Sequence, residues 1–143
     1  MVKAQGTFAE RWVENMATQH ALIIDDNRAN IDVLILLLTE EGISYTAIQS
    51  PRLMDNVLAE VGHCDVVFLD LEIPNHDGFE ILKRLRAYPE FADVPIVAYT
   101  VHTSEIDVAR RAGFHSFLGK PLNAQRFSQQ LARILRGESV WEI

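Results

Sequence analysis

Residues Asp65–Leu71 read DVVFLDL, an apolar run from Val66 to Leu69 that closes on a carboxylate, Asp70. A short continuous apolar segment bounded by polar residues is the pattern of a strand covered on both faces. An ionised carboxylate taken out of water is costly unless something compensates its charge. Val66, Val67, Phe68 and Leu69 therefore root the strand in a core, and Asp70 is carried out at its carboxyl end toward a partner that the rest of the chain must supply.

The same alternation extends in both directions. Ala21-Leu22-Ile23-Ile24 is an apolar run ending in Asp25-Asp26, followed by a helical stretch from about Arg28 to Glu41 that Gly42 stops. Ser44–Ile48 reads as a strand, and a helix opens near Pro51, whose fixed φ suits a helix start, and runs to about Val61. Beyond DVVFLDL, the loop Glu72–Asp77 leads into a helix with Phe79, Ile81, Leu82 and Leu85 at core-facing spacings, ending before Pro89. Pro95–Thr100 reads as a strand, Ser104–Ala112 as a weaker helix closed by Gly113, Ser116–Gly119 as a strand, and Ala124–Leu135 as an amphipathic helix.

Five β/α units with right-handed crossovers make a doubly wound parallel α/β sheet covered by helices on both faces. The expected order is the flavodoxin-like 2-1-3-4-5. Ligands of such sheets bind beyond the carboxyl ends of the strands, where the strand order reverses. Asp25 and Asp26, Asp70, Thr100 and Lys120 all stand at such ends. Three carboxylates meeting there would repel one another, so the group calls for a cation, and a hard divalent metal such as Mg²⁺ suits oxygen ligands. Each residue alone has a plainer explanation: Asp25-Asp26 as a helix cap and first-turn acid, Thr100 as a strand-end hydroxyl, Lys120 as a solvated charge. Their joint appearance at four strand ends favours a site.

These residues resemble the receiver domain of two-component response regulators over roughly residues 19–136. The resemblance rests on the strand ending Asp25-Asp26, the phrase Asp70-Leu71-Glu72-Ile73-Pro74 with Asp77-Gly78 after it, Thr100, Ala112-Gly113, and Phe117-Leu118-Gly119-Lys120-Pro121. It implies that Asp70 accepts a phosphoryl group from a sensor histidine kinase or histidine phosphotransfer protein. It also implies that Asp25, Asp26, Asp70 and the backbone carbonyl of Glu72 hold Mg²⁺, while Lys120 and Thr100 contact the phosphoryl oxygens. A cis Lys120–Pro121 bond and a switch through Thr100 and Phe117 are implied as well, with output as changed binding of a downstream protein target or relay of the phosphoryl group. Glu72 and His102, two residues beyond Asp70 and Thr100, border the attacking water in this family and influence adduct lifetime. Val101 departs from the usual small residue and is expected to narrow the mouth of the site. Two rivals stay open. One is a receiver-like adaptor that works without phosphorylation; the other is an aspartyl phosphatase, for which Glu72 stands where a second Asp would be wanted.

Composition bounds the rest. A net charge of −7, from 13 basic against 20 acidic residues, argues against nucleic acid or an anionic membrane as partner. The lone Cys64 excludes an internal disulfide, and no apolar run reaches membrane length, so a cytoplasmic signalling module rather than an enzyme with a substrate of its own is expected. The five histidines show no metal-ligand spacing. Residues 1–18, with Phe8, Trp12, Val13 and Met16 at helical spacing, form an extension expected to be helical, and residues 137–143 form a C-terminal tail. These ends are expected either to dock, on the body or across a homodimer interface, or to stay mobile.

Overall fold

The computed structural model describes residues 19–143; the helix expected over residues 1–18 lies outside the described residues. In chain order the regular elements are β1 (His20–Ile24), α1 (Arg28–Glu40), β2 (Ser44–Ile48), α2 (Met54–Val61), β3 (Val66–Asp70), α3 (Gly78–Arg86), β4 (Ile96–Thr100), α4 (Ile106–Ala112), β5 (Ser116–Gly119), α5 (Ala124–Leu135) and β6 (Trp141–Glu142). All strand pairs are parallel and the order is β2-β1-β3-β4-β5-β6. The doubly wound sheet expected from the alternation of elements is therefore present, with a sixth strand added.

Strand alternation divides the core into two layers. Ala21, Ile23, Val66, Phe68, Val97, Tyr99 and Leu118 face α1 and α5, where Leu34, Leu38, Phe127 and Leu131 meet them. Leu22, Ile24, Val67, Leu69, Ala98 and Phe117 face the other way, toward α2, α3 and α4 through Met54, Ile81, Leu85 and Ala109. Every residue of β3 and β4 is buried, as a central strand covered on both faces requires.

Local rules set the helix ends. Asn27 caps α1 by accepting from the Asn30 N–H, and Asp77 caps α3 by accepting from the Phe79 N–H. The first of these decides an ambiguity of the sequence: Asn27, not Asp25 or Asp26, is the cap. The helices expected from Pro51 and Ser104 each begin as a 3₁₀ turn, at Pro51–Leu53 and Thr103–Glu105, where no side chain caps the free N–H groups. Gly113 ends α4 at φ 104°, a left-handed conformation that β-carbon-bearing residues resist.

The C-terminal tail docks on the body, one of the outcomes expected for it, and does so as a strand. Trp141 and Glu142 pair with Phe117 and Leu118 of β5, so the sheet has six strands and not five. The Phe117 N–H donates to the Val140 carbonyl at 2.7 Å and the Val140 N–H donates to Ser116 Oγ at 2.9 Å, with Val140 wholly buried. Glu142 is held by Arg126, Arg133 and Gln130 of α5, and Arg110 of α4 lies 4.6 Å from the Trp141 ring centre. The β5 edge is thus covered by Trp141 and Glu142. Removing Val140–Ile143 is expected to lower the unfolding free energy by roughly 2–4 kcal/mol, the scale of exposing one aliphatic side chain and part of a tryptophan. Urea denaturation of the truncated and full chains checks this, and equal midpoints would mean that β6 adds nothing.

Candidate functional site

The carboxyl ends of β1, β3, β4 and β5 meet in a cleft of about 390 Å³ lined by Asp26, Asn27, Asn30, Asp70, Glu72, Pro74, Val101, Lys120 and Pro121. The topology produces it: β1 and β3 are neighbours although α1, β2 and α2 lie between them in sequence, so Asp25-Asp26 and Asp70 leave the sheet side by side. One carboxylate oxygen from each of Asp25, Asp26 and Asp70 lies within 4.8 Å of the others.

Two of these carboxylates are buried, Asp25 fully and Asp70 at 3% exposure, whereas Asp26 faces solvent. Each buried carboxylate is compensated in its own way. Asp25 Oδ1 accepts from the Asn27 N–H at 2.8 Å, and its Oδ2 accepts from the Tyr99 hydroxyl at 2.6 Å. Asp70 Oδ1 accepts from the Glu72 N–H at 3.0 Å. Lys120 Nζ then stands 3.3 Å from Asp25 Oδ2 and 3.4 Å from Asp70 Oδ2, its side chain 10% exposed. It is no solvated surface charge. The Lys120–Pro121 peptide is cis.

One ammonium between two buried carboxylates leaves negative charge in excess. Burial first, and the neighbouring Asp25 in addition, push the Asp70 carboxyl up to about 6, against the pull of the Glu72 N–H and Lys120. Burial and Asp25 drive the Tyr99 phenol far above its ordinary range, so it remains a hydrogen-bond donor. An all-oxygen set, crowded, over-negative and open to solvent on the Asp26 side, fits a hard divalent cation.

Thr100 is wholly buried at the end of β4. Its hydroxyl donates to Glu72 Oε1 at 2.5 Å and accepts from the His102 N–H at 3.1 Å. Glu72 Oε2 in turn lies 3.1 Å from His102 Nε2, so Thr100, Glu72 and His102 form one network beside Asp70. Val101 is 56% exposed and lines the cleft, a branched side chain on its wall. Phe117 is fully buried in the layer facing α4, with Trp141 as its neighbour in β6.

The structure thus brings together Asp25, Asp26, Asp70, Glu72, Thr100, Val101, His102 and Lys120, and places Phe117 in the core on β5, paired with Ala98 of β4. Sequence reasoning missed Tyr99, which reads as one more apolar member of β4. The available signal was a hydroxyl-bearing aromatic directly before Thr100, since a buried tyrosine normally finds a partner for its O–H. Cys64, buried, donates its thiol to the Val66 carbonyl and is pushed up to about 11 by burial, so it takes no part in chemistry here.

Residues 21–132 match the family described as the response regulator receiver domain. The chain is 32% identical over 119 residues to stress response regulator protein 1 of Meyerozyma guilliermondii, covering 78% of this chain and 53% of that protein. It is likewise 32% identical over 119 residues to the sensory transduction protein RegX3 of Mycolicibacterium smegmatis, covering 80% of this chain and 50% of that one. The chain therefore spans about half the length of these curated relatives. A two-component response regulator from Clostridium difficile superposes with a TM-score of 0.73 at 27% identity, over 83% of this chain and 97% of that one. The signal receiver domain of a DNA binding response regulator protein (merR) from Colwellia psychrerythraea 34H gives 0.71 at 26% identity, over 82% and 98%. Sequence, fold and the acidic cleft agree, and the chain belongs to the receiver domain family of two-component response regulators.

Proposed function

We propose that this receiver accepts a phosphoryl group on Asp70 from a histidine kinase or a histidine phosphotransfer protein, and signals by changed protein binding or by passing the group on. The observation that carries this is the placement of a buried carboxylate, Asp70, within reach of Lys120 and beside Asp25 and Asp26. A carboxylate oxygen of Asp70 attacks phosphorus, an O–P bond forms, and the P–N bond of the phosphohistidine breaks, with the electron pair leaving on the imidazole, which takes up a proton. Such transfers are catalysed chiefly by positioning and by neutralising charge on the transferred oxygens.

Asp25, Asp26, Asp70 and the Glu72 carbonyl would hold Mg²⁺, which when bound supplies positive charge to the transferred oxygens. Lys120 gives a second positive charge, and Thr100, once released from Glu72, a hydroxyl donor. In this reading that release is passed to Phe117, which pairs with Ala98 of β4 and adjoins Trp141 in β6. Thr100 and Phe117 are the switch in this reading. Glu72 and His102 set the lifetime of the adduct, and Val101 restricts entry of small donors.

Incubating the chain with Mg²⁺ and either a phosphohistidine donor or a small acyl phosphate is expected to give a covalent adduct detected by intact mass, absent from Asp70→Asn and with chelator. Absence of adduct with both donors would support a phosphorylation-independent adaptor instead, and steady turnover of phosphate monoesters would support a phosphatase.

The Glu72 carboxylate both withholds the Thr100 hydroxyl and offers an acceptor for a proton of attacking water. Glu72→Ala is therefore expected to lengthen the adduct lifetime severalfold, read as phosphoryl loss after donor removal; an unchanged or shorter lifetime removes this assignment.

Stability follows the charge on Asp70. Its folded value of about 6 lies above the ordinary 3.8, so between these values the folded chain binds more protons than the unfolded one. Stability of the metal-free protein accordingly falls as pH rises through that window. Asp70→Asn removes the cost and is expected to be more stable than wild type above pH 6, on the order of 1–3 kcal/mol, with the difference vanishing toward pH 4. Denaturant titrations in chelator across this range check both sign and window.

A further inference from the structure

Tyr99 is a polar side chain at the site that neither composition nor strand pattern singled out. It stands on β4, while Asp25 follows β1, and β3 lies between them in the sheet, so its phenol reaches beneath the central strand to the carboxylate. The ring is fixed by packing: it meets Phe68 edge-on at 6.3 Å and 86°, and Phe68 meets Phe127 of α5 at 6.0 Å. Only the hydroxyl leaves the apolar layer, and it donates to Asp25 Oδ2 at 2.6 Å, with both residues essentially inaccessible to solvent. The ring does a second thing. Lys120 Nζ lies 4.4 Å from its centre, so the ammonium rests on an aromatic face while shared between Asp25 and Asp70 at 3.3 and 3.4 Å.

We propose that Tyr99 is a positioning residue for the cation site: its hydroxyl locks the orientation of Asp25 and its ring seats Lys120, so the affinity for a divalent cation depends on a side chain remote from the cation itself. This rests on the assignment of Asp25, Asp26 and Asp70 as the metal-holding set. Without the hydroxyl, Asp25 Oδ2 keeps, among the described residues, Lys120 alone as a partner. The carboxylate is then free to turn toward the ammonium and to draw it away from Asp70, which presents both groups wrongly for a cation. Partners that hydrogen-bond metal-holding side chains commonly carry a tenfold or greater share of metal affinity.

The test is isothermal titration calorimetry of the full chain with Mg²⁺, well below the melting midpoint, for wild type, Tyr99→Phe and a chain carrying 4-aminophenylalanine at position 99. Tyr99→Phe keeps the ring and its packing and loses the donor; about tenfold weaker Mg²⁺ binding is expected, with an unchanged far-ultraviolet circular dichroism spectrum. The aminophenyl side chain restores a donor of nearly the same length, and affinity is expected to return to within about threefold of wild type. A merely space-filling Tyr99 would show neither the loss nor the rescue.

Equal Mg²⁺ affinity in wild type and Tyr99→Phe overturns the proposal. So does failure of Tyr99→Phe to fold, which would make the hydroxyl a requirement of the core. Asp26→Asn separates the two layers of inference. If wild type binds Mg²⁺ and Asp26→Asn does not, the metal assignment stands whatever Tyr99→Phe does. If wild type shows no binding sensitive to Asp26→Asn, the assignment and the Tyr99 proposal fall together.

Discussion

The crowding of negative charge at the carboxyl ends of β1 and β3 is the constraint on which the rest of the site depends. Asp25 and Asp70 are buried side by side, and a single ammonium, Lys120, lies between them. Such an arrangement persists only because the surrounding fold holds it, since an apolar replacement would be more stable than a partly compensated carboxylate pair. The stored repulsion is what makes the cleft receptive to added positive charge. The geometry that costs stability in the metal-free protein is the geometry on which the proposed phosphoryl transfer depends.

Around this centre the residues divide by how freely they can move. Asp25 is tied through both oxygens, to Asn27 and to Tyr99. Asp70 has one oxygen tied to the Glu72 N–H and one facing Lys120, and burial opposes its ionisation. Thr100, Glu72 and His102 form a separate polar chain on the β4 side. Asp25, Asp70, the proposed acceptor, and Thr100, the proposed switch hydroxyl, are thus distinguished by their hydrogen bonds and not by their residue types alone. Among the described residues every buried side-chain nitrogen and oxygen has a partner, so the polar site adds no orphaned group to its charge burden.

Much of the architecture was legible because the signals were redundant. The fully buried strands β3 and β4 read as unbroken apolar runs, the helices carried a 3.6-residue period, and Gly42 and Gly113 punctuated the ends of α1 and α4. The sixth strand was not legible, because Ser139–Ile143 has neither a run nor a period long enough to register. Its pairing covers the edge of β5, with Glu142 held by Arg126 and Arg133 on α5. Tyr99 was illegible for a related reason: a tyrosine in a buried strand looks like core until the position of its hydroxyl is known.

The order and type of the main elements, and the set of acidic, hydroxyl and ammonium residues at the strand ends, followed from the sequence by itself, since periodicity and strand-end position are local properties of the chain. Which of those residues touch was decided only by the tertiary structure. Asn27 rather than Asp25 or Asp26 caps α1, and this leaves both acids to the cleft. Lys120 is brought between two carboxylates distant from it in sequence, and Tyr99 reaches Asp25 across the central strand. Hydrogen bonds between residues far apart in the chain depend on sheet order and side-chain packing, and neither is written in any local stretch of sequence.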